Sequence, residues 1–316
     1  MKETEIKMNL TLLRDDIVKS LNIKGGETFT QALLRVVSGE SSEIFFEQYL
    51  ELINHDTEAD YLKDIYETFY SNREELNQDY TPQSISRLIS KYALHIFSNR
   101  NKKINTVFDL CCGSGSLSIE FWKLQKDTVF YMLELDMDSI AILLSNLCLR
   151  GMNADVIHGN GLSFEFYKVY QVRNDGKYST ITEISPEDYK IPICDVAISN
   201  PPFNVSYKDN RDYSKYCGYK QTSSGNVLFA IRCLEQVNED GIVFYINSSG
   251  FRFHDYGTDK FRQYCIEKNI LKGVIKLPQK MFIHTSLPFE IFIFDKRKRN
   301  SDIYWVDNEK KNFTKM

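Results

Sequence analysis

The spacing of apolar residues changes along this chain of 316 residues. Up to about residue 78 the apolar positions recur every three or four residues, as at Leu62, Ile65 and Phe69, which is the spacing of one helix face. From about residue 104 onward, short apolar runs alternate with helix-like stretches. The pattern predicts a helical N-terminal region over residues 1–78 and an α/β domain over residues 79–316.

Seven apolar runs in the second part have the length and composition of buried strands. Helix-like stretches lie between most of them, for example at residues 139–150 and 227–237. This alternation predicts a doubly wound, Rossmann-like, mostly parallel seven-stranded sheet with helices on both faces. No long helix precedes the last run, so an antiparallel pairing is expected there. The polar stretches at 170–190 and 204–225 are expected to be insertions. The seven runs cover residues 104–110, 128–133, 154–158, 194–199, 241–247, 272–277 and 289–294.

Composition narrows the class of protein. The net charge of −4 and the pI near 5.8 give no overall basic surface of the kind that proteins binding DNA unaided usually carry. The seven cysteines show no metal-like pairing and are expected to be reduced thiols, and the five scattered histidines predict no metal site. The sequence shows no apolar leader and no segment of membrane-spanning length, so we expect a cytoplasmic protein without membrane contact.

The most informative segment is Asn200-Pro201-Pro202-Phe203, directly after the apolar run at 194–199. Two prolines cannot continue a strand ladder, because each lacks an N–H group and has a fixed φ. The chain is therefore expected to leave the sheet at Asn200, at the carboxyl end of a strand, where α/β sheets bind ligands. An amide that accepts hydrogen bonds beside an aromatic ring suits a nucleobase-like amine. An ordinary proline-rich turn with a buried Phe203 is the alternative.

Further candidate residues follow the earlier strands. The first strand ends in a loop with Gly113 and Gly115 that opens a helix, so its backbone can pass close to a ligand. Ser118 stands where a dinucleotide-binding loop has a third glycine, which disfavours NAD. Glu134 ends the second strand and is placed to accept hydrogen bonds from two ribose hydroxyls. Asn160 follows the third strand, either at an adenine edge or as a turn residue.

In this order the motifs resemble those of the S-adenosylmethionine-dependent adenine-N6 DNA methyltransferases, and within them the modification subunit of type I restriction-modification systems. The resemblance extends from about residue 60 to residue 298. Each motif alone is common, but the ordered set is specific. The matching segments are 78–82, 109–117, 134–136, 158–162, 200–203, 261–262 and 274–288.

The resemblance implies a site in two halves. The target base would be bound by Asn200, Pro201, Pro202 and Phe203. S-adenosylmethionine would be bound by the residues at the ends of the first strands, with two residues from the upstream segment beside its methionine part. The family usually has aspartate where this chain has Asn160, and weaker cofactor binding is expected because an amide lacks charge assistance. The implied cofactor residues are Tyr80, Thr81, Asp109, Gly113, Gly115, Glu134 and Asn160.

The reaction implied by the resemblance is site-specific methylation of the 6-amino group of an adenine that has left the DNA duplex. Phe203 would stack on the base, while the Asn200 side-chain oxygen and the Pro201 carbonyl accept the two amino hydrogens. Catalysis would then rest on orientation and electrostatics rather than on a strong base. None of the seven prolines is followed by cysteine, which excludes the Pro-Cys nucleophile of cytosine carbon-5 methylation.

The expected partners are DNA and other protein subunits. Only about twenty residues follow the last predicted strand, so we expect a separate specificity subunit to read the DNA sequence, with a restriction subunit as a further partner. Two alternatives stay open: a methyltransferase of the same fold that acts on RNA bases or protein glutamine amides, and a catalytically idle binding subunit. The Tyr80-Thr81-Pro82 segment upstream of the glycine loop favours DNA.

Overall fold

The N-terminal part of the chain is helical. The computed structural model describes residues 3–70, 81–203, 205–208, 210–218, 220, 222–253, 258–278, 287–298, 300–307 and 312–315. The first of these ranges holds helices α1 (Glu3–Leu21), α2 (Phe29–Val37), α3 (Ser42–Leu52) and α4 (Tyr61–Phe69). Helix α2 begins with a capping box between Thr28 and Gln31, which satisfies backbone N–H groups at its first turn. The predicted helical character is confirmed, and the predicted boundary at residue 78 lies outside the described residues.

The rest of the described chain alternates strands and helices. The helices are α5 (Gln83–Asn99), α6 (Ser116–Leu124), α7 (Met137–Leu149), α8 (Ser214–Cys217), α9 (Gly225–Glu235), α10 (Gly250–Phe253) and α11 (Thr258–Glu267). The strands are β1 (Thr106–Leu110), β2 (Val129–Glu134), β3 (Ala154–Asn160), β4 (Glu165–Asn174), β5 (Ser179–Ile184), β6 (Cys194–Ser199), β7 (Val237–Ser248), β8 (Leu271–Lys276), β9 (Phe289–Asp295), β10 (Tyr304–Asp307) and β11 (Asn312–Lys315).

These strands form a single sheet in the order β11-β10-β8-β9-β7-β6-β1-β2-β3-β4-β5. The five strands from β7 to β3 in that order pair in parallel. Strand β9 pairs antiparallel with both β7 and β8, as expected from the missing helix before it. The doubly wound α/β class is confirmed. The expected number of seven strands is wrong, because the described residues form an eleven-stranded sheet.

The four additional strands lie in the outer part of the sheet, where burial is low. Strands β4 and β5 form a hairpin that overlaps the predicted polar insertion at 170–190 but begins before it, at Glu165, and β4 buries three of its ten residues. Strands β10 and β11 form the opposite edge. Antiparallel strands near an edge do not need a continuous apolar run, because solvent covers part of their surface. The polar composition of β4, β5 and β11 therefore concealed them from an interpretation based on apolar runs. Strand β10 is mostly apolar but has only four residues.

Two apolar cores cover the two faces of the sheet, and successive strand residues alternate between them as the pleat requires. In β1, Val107 belongs to one core and Phe108 to the other. In β2, Met132 and Leu133 divide in the same way. Helices α1 to α7 contribute side chains to the first core and α8 to α11 to the second. None of the described helices combines the length and apolar content that crossing a membrane requires.

Candidate functional site

A cleft opens where the strand order reverses beside β1. This strand continues to β2 on one side, while its other neighbour is β6. Leu110 at the end of β1 is paired with Ser199 at the end of β6, and the Ser199 hydroxyl donates to the Leu110 carbonyl at 2.7 Å. Doubly wound sheets bind ligands at such a reversal. The cleft has a volume of ≈ 550 Å³, within the range of about 300–1,000 Å³ that is typical of small-molecule sites.

The loop after β1 has three residues with left-handed backbone conformation: Cys111 with φ 59°, Gly113 with φ 55° and Gly115 with φ 89°. Cys111 adopts it despite having a Cβ, at a cost of about 1–2 kcal/mol, and such strain is typical of functional turns. A Cβ on Gly115 would lie 2.5 Å from Leu143 Cδ1, so glycine lets the loop pack against α7. No described atom lies within 4 Å of the corresponding position at Gly113, which lines the cleft and leaves space for a ligand.

Glu134 ends β2 with its side chain on the cleft wall. Its Oε2 accepts from the Gly113 N–H at 2.8 Å, and its Oε1 accepts from the N–H groups of Leu135 and Asp136 at 2.8 and 2.9 Å. Burial raises the pKa of this carboxyl above its usual value, although the backbone donors oppose the rise. The carboxylate is therefore held in one orientation, and Oε2 keeps acceptor capacity for a ligand hydroxyl.

Asp109 lies in β1, fully buried behind the glycine loop rather than on the cleft wall. Its Oδ2 accepts from the Ser118 hydroxyl at 2.7 Å, while its Oδ1 has no hydrogen-bond partner among the described residues. Burial raises the pKa of Asp109 to about 7, and the Glu134 carboxylate adds to the rise. A buried carboxyl with a displaced pKa beside a cleft is a common mark of a functional site.

Asn160 ends β3 and lines the cleft. Its Oδ1 accepts from the N–H groups of Leu162 and Ser163 at 2.8 and 3.2 Å. This is the geometry of a turn asparagine, although its φ is not in the left-handed region. The Asn160 Nδ2 group has no hydrogen-bond partner among the described residues. The end of the amide available to a ligand is therefore a donor, not the oxygen that the amino group of an adenine would need as an acceptor.

The Asn200 turn faces the same cleft. Strand β6 ends one residue before Asn200, so the chain leaves the sheet where the prolines require. The Asn200 Nδ2 group donates to Thr81 Oγ1 at 2.9 Å, and Thr81 precedes Pro82, the N-cap residue of α5. Thr81, Asn200, Pro201 and Pro202 all line the cleft. The upstream segment and the turn are therefore in direct contact.

Phe203 is placed differently from the rest of its motif. Its ring is half-buried against the core, with its centroid 4.6 Å from that of Phe289 and the planes inclined by 48°. It does not form part of the described cleft wall, to which Tyr207 and Phe229 contribute aromatic rings. The structure thus brings the amide and prolines to the cleft and the Phe203 ring to its periphery.

Seven of the residues predicted from sequence line the cleft: Thr81, Gly113, Glu134, Asn160, Asn200, Pro201 and Pro202. Asp109 and Gly115 lie behind it, and Tyr80 lies outside the described residues. Sequence reasoning missed Leu135 and Asp136 as wall residues, although their position directly after Glu134 was a usable signal.

Sequence reasoning also missed Arg232, a buried residue of α9. Its Nε and Nη2 donate to the Leu162 carbonyl at 3.1 and 2.5 Å, which fixes the turn after β3. Phe229, one helical turn earlier, lines the cleft. Nothing in the local sequence of a buried helix distinguishes these two residues from ordinary core and helix positions.

Two similar curated proteins are methylase subunits of type I restriction enzymes. The MpnII methylase subunit of Mycoplasma pneumoniae is 22% identical over 256 residues, which cover 74% of this chain and 44% of that protein. The MjaVII methylase subunit of Methanocaldococcus jannaschii is 26% identical over 277 residues, which cover 82% of this chain and 43% of that protein. The matched region of this chain thus spans less than half the length of these relatives.

Solved structures share the fold. The type I restriction-modification system methyltransferase subunit from Streptococcus thermophilus has a TM-score of 0.60 at 20% identity, over 89% of this chain and 55% of that one. A Listeria monocytogenes protein described as a class I S-adenosylmethionine-dependent methyltransferase has a TM-score of 0.63 at 17% identity, over 96% and 93% of the two chains. The sequence pattern of the N-6 DNA Methylase family matches residues 57–316, most of the chain. This chain therefore belongs to the N-6 DNA Methylase family.

Proposed function

We propose that this chain transfers a methyl group from S-adenosylmethionine to the 6-amino group of an adenine in DNA, as the modification subunit of a restriction-modification system. Family membership supports the reaction type. One observation supports the chemistry most directly: Asn200, predicted to bind the target amine, shares one cleft with Glu134 and Gly113, predicted to bind the cofactor. Two reactants bound in a single cleft can meet without crossing solvent.

The target half of the cleft suits an exocyclic amine. Such an amine must keep its lone pair for the incoming methyl group, so both of its hydrogens need acceptors. The Asn200 Nδ2 group donates to Thr81 Oγ1, and this hydrogen bond leaves Oδ1 as the end of the amide that would accept from the target amine. The Pro201 carbonyl would accept the second hydrogen. These groups orient the amine, and water takes the proton that the methylated amine releases.

The residues of the other half fit S-adenosylmethionine. Glu134 has acceptor capacity for a ribose hydroxyl, and the space beside Gly113 allows close approach to the backbone. Glu134 and Asp136 place two carboxyl groups on the cleft wall, which suits a ligand with positive charge. Asn160 would border the adenine ring, where its Nδ2 group offers the adenine amino group no acceptor. When bound, the cofactor supplies an electrophilic methyl group on a sulfonium centre.

We further propose that this chain acts on DNA together with a specificity subunit, and that a restriction subunit joins the same assembly. The printed names of the similar proteins, methylase subunits of type I restriction enzymes, support this assignment. The net charge of −4 is in keeping with a partner that supplies basic surface for DNA.

Base-resolution mapping of N6-methyladenine tests the proposal. Cells that carry the native chain together with the proposed specificity subunit should show methylation at a defined sequence, and Asn200→Ala should abolish it. Asn9→Ala, on the exposed surface of α1, is the matched control and should leave methylation intact. Transfer of labelled methyl to RNA or to protein glutamine, with none to duplex DNA, would contradict the proposed substrate. Adenine methylation that survives Asn200→Ala would contradict the proposed site.

A further inference from the structure

We infer that Thr81 is a positioning residue that fixes the orientation of the Asn200 amide and so makes the turn competent to accept an amine. The inference rests on the proposed function. The two side chains are joined by the 2.9 Å hydrogen bond from Asn200 Nδ2 to Thr81 Oγ1. Thr81 is 6% exposed and borders the same cleft as Asn200. Thr81 is thus buried, and Asn200 is half-buried at the cleft wall.

The orientation of this amide decides whether the turn can work. A side-chain amide carries an acceptor at one end and two donor hydrogens at the other. Its terminal torsion has broad, nearly two-fold minima, so little energy separates the two orientations when no partner selects one. With Oδ1 towards the target, the amide accepts an amino hydrogen. With Nδ2 towards the target, donor faces donor, and the amine is repelled from the attacking geometry.

Both partners of the bond are anchored on rigid backbone. Thr81 is followed by Pro82, the N-cap residue of α5, whose carbonyl accepts from the Ile85 N–H at 3.0 Å. Asn200 is held between the end of β6 and two prolines with fixed φ. A hydrogen bond between two such fixed points selects one amide orientation. Thr81 thereby joins the upstream segment to the target half of the cleft.

The inference separates two roles for Thr81, which the sequence resemblance placed beside the cofactor. Thr81→Val keeps the shape of the side chain and removes the hydroxyl, whereas Thr81→Ser keeps the hydroxyl. We expect Thr81→Val to lower kcat about tenfold, the effect of one lost hydrogen bond in the transition state. The Kd for S-adenosylmethionine, measured by calorimetry, should stay within about twofold, and Thr81→Ser should restore most of kcat.

A second readout is independent of methylation. In protein labelled with ¹⁵N-asparagine, the Asn200 side-chain amide protons should exchange slowly with solvent in the native chain and in Thr81→Ser. They should exchange faster in Thr81→Val, or in Thr81→Ala if the valine variant does not fold. The Asn200 signal is assigned by its loss in Asn200→Ser.

Several results would overturn the inference. A raised Kd with unchanged kcat in Thr81→Val would mean that Thr81 acts on the cofactor. A serine variant as slow as the valine variant would mean that packing, rather than the hydroxyl, matters. Unchanged amide exchange in Thr81→Val would mean that the bond does not hold Asn200. A native assembly that methylates nothing would count against the proposed function, while the exchange measurement would still test the hydrogen bond.

Discussion

Asp109 gives the sharpest prediction for the stability of the folded protein. Its carboxyl is fully buried, and Oδ1 has no hydrogen-bond partner among the described residues. Burial raises its pKa from 3.8 to about 7. The folded protein therefore holds this proton at pH values where the unfolded chain has released it. Stability from proton binding is complete below pH 3.8 and is lost as the pH rises to about 7.

The size of the effect follows from the two pKa values. Each unit of pKa difference is worth about 1.4 kcal/mol, so the free energy of unfolding should fall by about 2–3 kcal/mol between pH 5 and pH 8 through Asp109. Asp109→Asn removes the titrating group and keeps an oxygen that can accept from Ser118. Between pH 5 and pH 8, the free energy of unfolding of this variant should therefore fall by about 2–3 kcal/mol less than that of the native chain.

Urea unfolding followed by circular dichroism at pH 5 and pH 8 measures this difference. Asp127→Asn is the matched control, because Asp127 lies on the surface beside Lys103, and this variant should retain the native pH dependence. Glu134 contributes a change of the same sign in every variant, since burial also raises its pKa. Equal losses of unfolding free energy in the native chain and Asp109→Asn would refute the argument.

Three further substitutions probe the cleft. Gly115→Ala should lower the free energy of unfolding by about 1–2 kcal/mol, because φ is left-handed at this position and the new Cβ would contact Leu143. Thermal unfolding measures this change, and an unchanged stability would contradict the prediction. Asn160→Asp should tighten S-adenosylmethionine binding by about tenfold in calorimetry, since a carboxylate offers the adenine amino group an acceptor; weaker binding would contradict this. Glu134→Gln should weaken S-adenosylmethionine binding by about 10–100-fold, because the NH₂ group of glutamine replaces one accepting oxygen. An unchanged Kd would show that Glu134 does not contact the ligand.

Local sequence rules predicted the strands that carry the site. Runs buried on both faces, as in β1 and β6, have few polar residues, and their ends are marked by glycines or prolines whose backbone preferences are intrinsic. This placed Gly113, Glu134 and Asn200 at strand ends before any tertiary information. Since carboxyl ends of parallel strands share one edge of the sheet, convergence on one cleft followed as an expectation.

Half-exposed strands were not predictable in the same way. The hairpin of β4 and β5 has the composition of a polar insertion because its strands bury only four of their sixteen residues. Its position depends on pairing with β3, for example between Ile157 and Val169, and on the bond from the Ser179 hydroxyl to the Met152 carbonyl at 2.8 Å. Such contacts leave no periodic signal in a single sequence.

The sequence by itself determined which residues end the strands and which chemistry they can offer, because proline, glycine and apolar runs act on the backbone locally. Only the tertiary structure decided how those groups are oriented. In the folded chain, Asn200 is hydrogen-bonded to Thr81, 119 positions away. The side-chain oxygen of Asn160 accepts from the Leu162 N–H in the turn that follows β3, and Phe203 packs on Phe289. The physical reason is that the orientation of a side chain depends on its hydrogen-bond and packing partners. These partners come together only in the folded chain, and because they are distant in sequence, local rules cannot predict them.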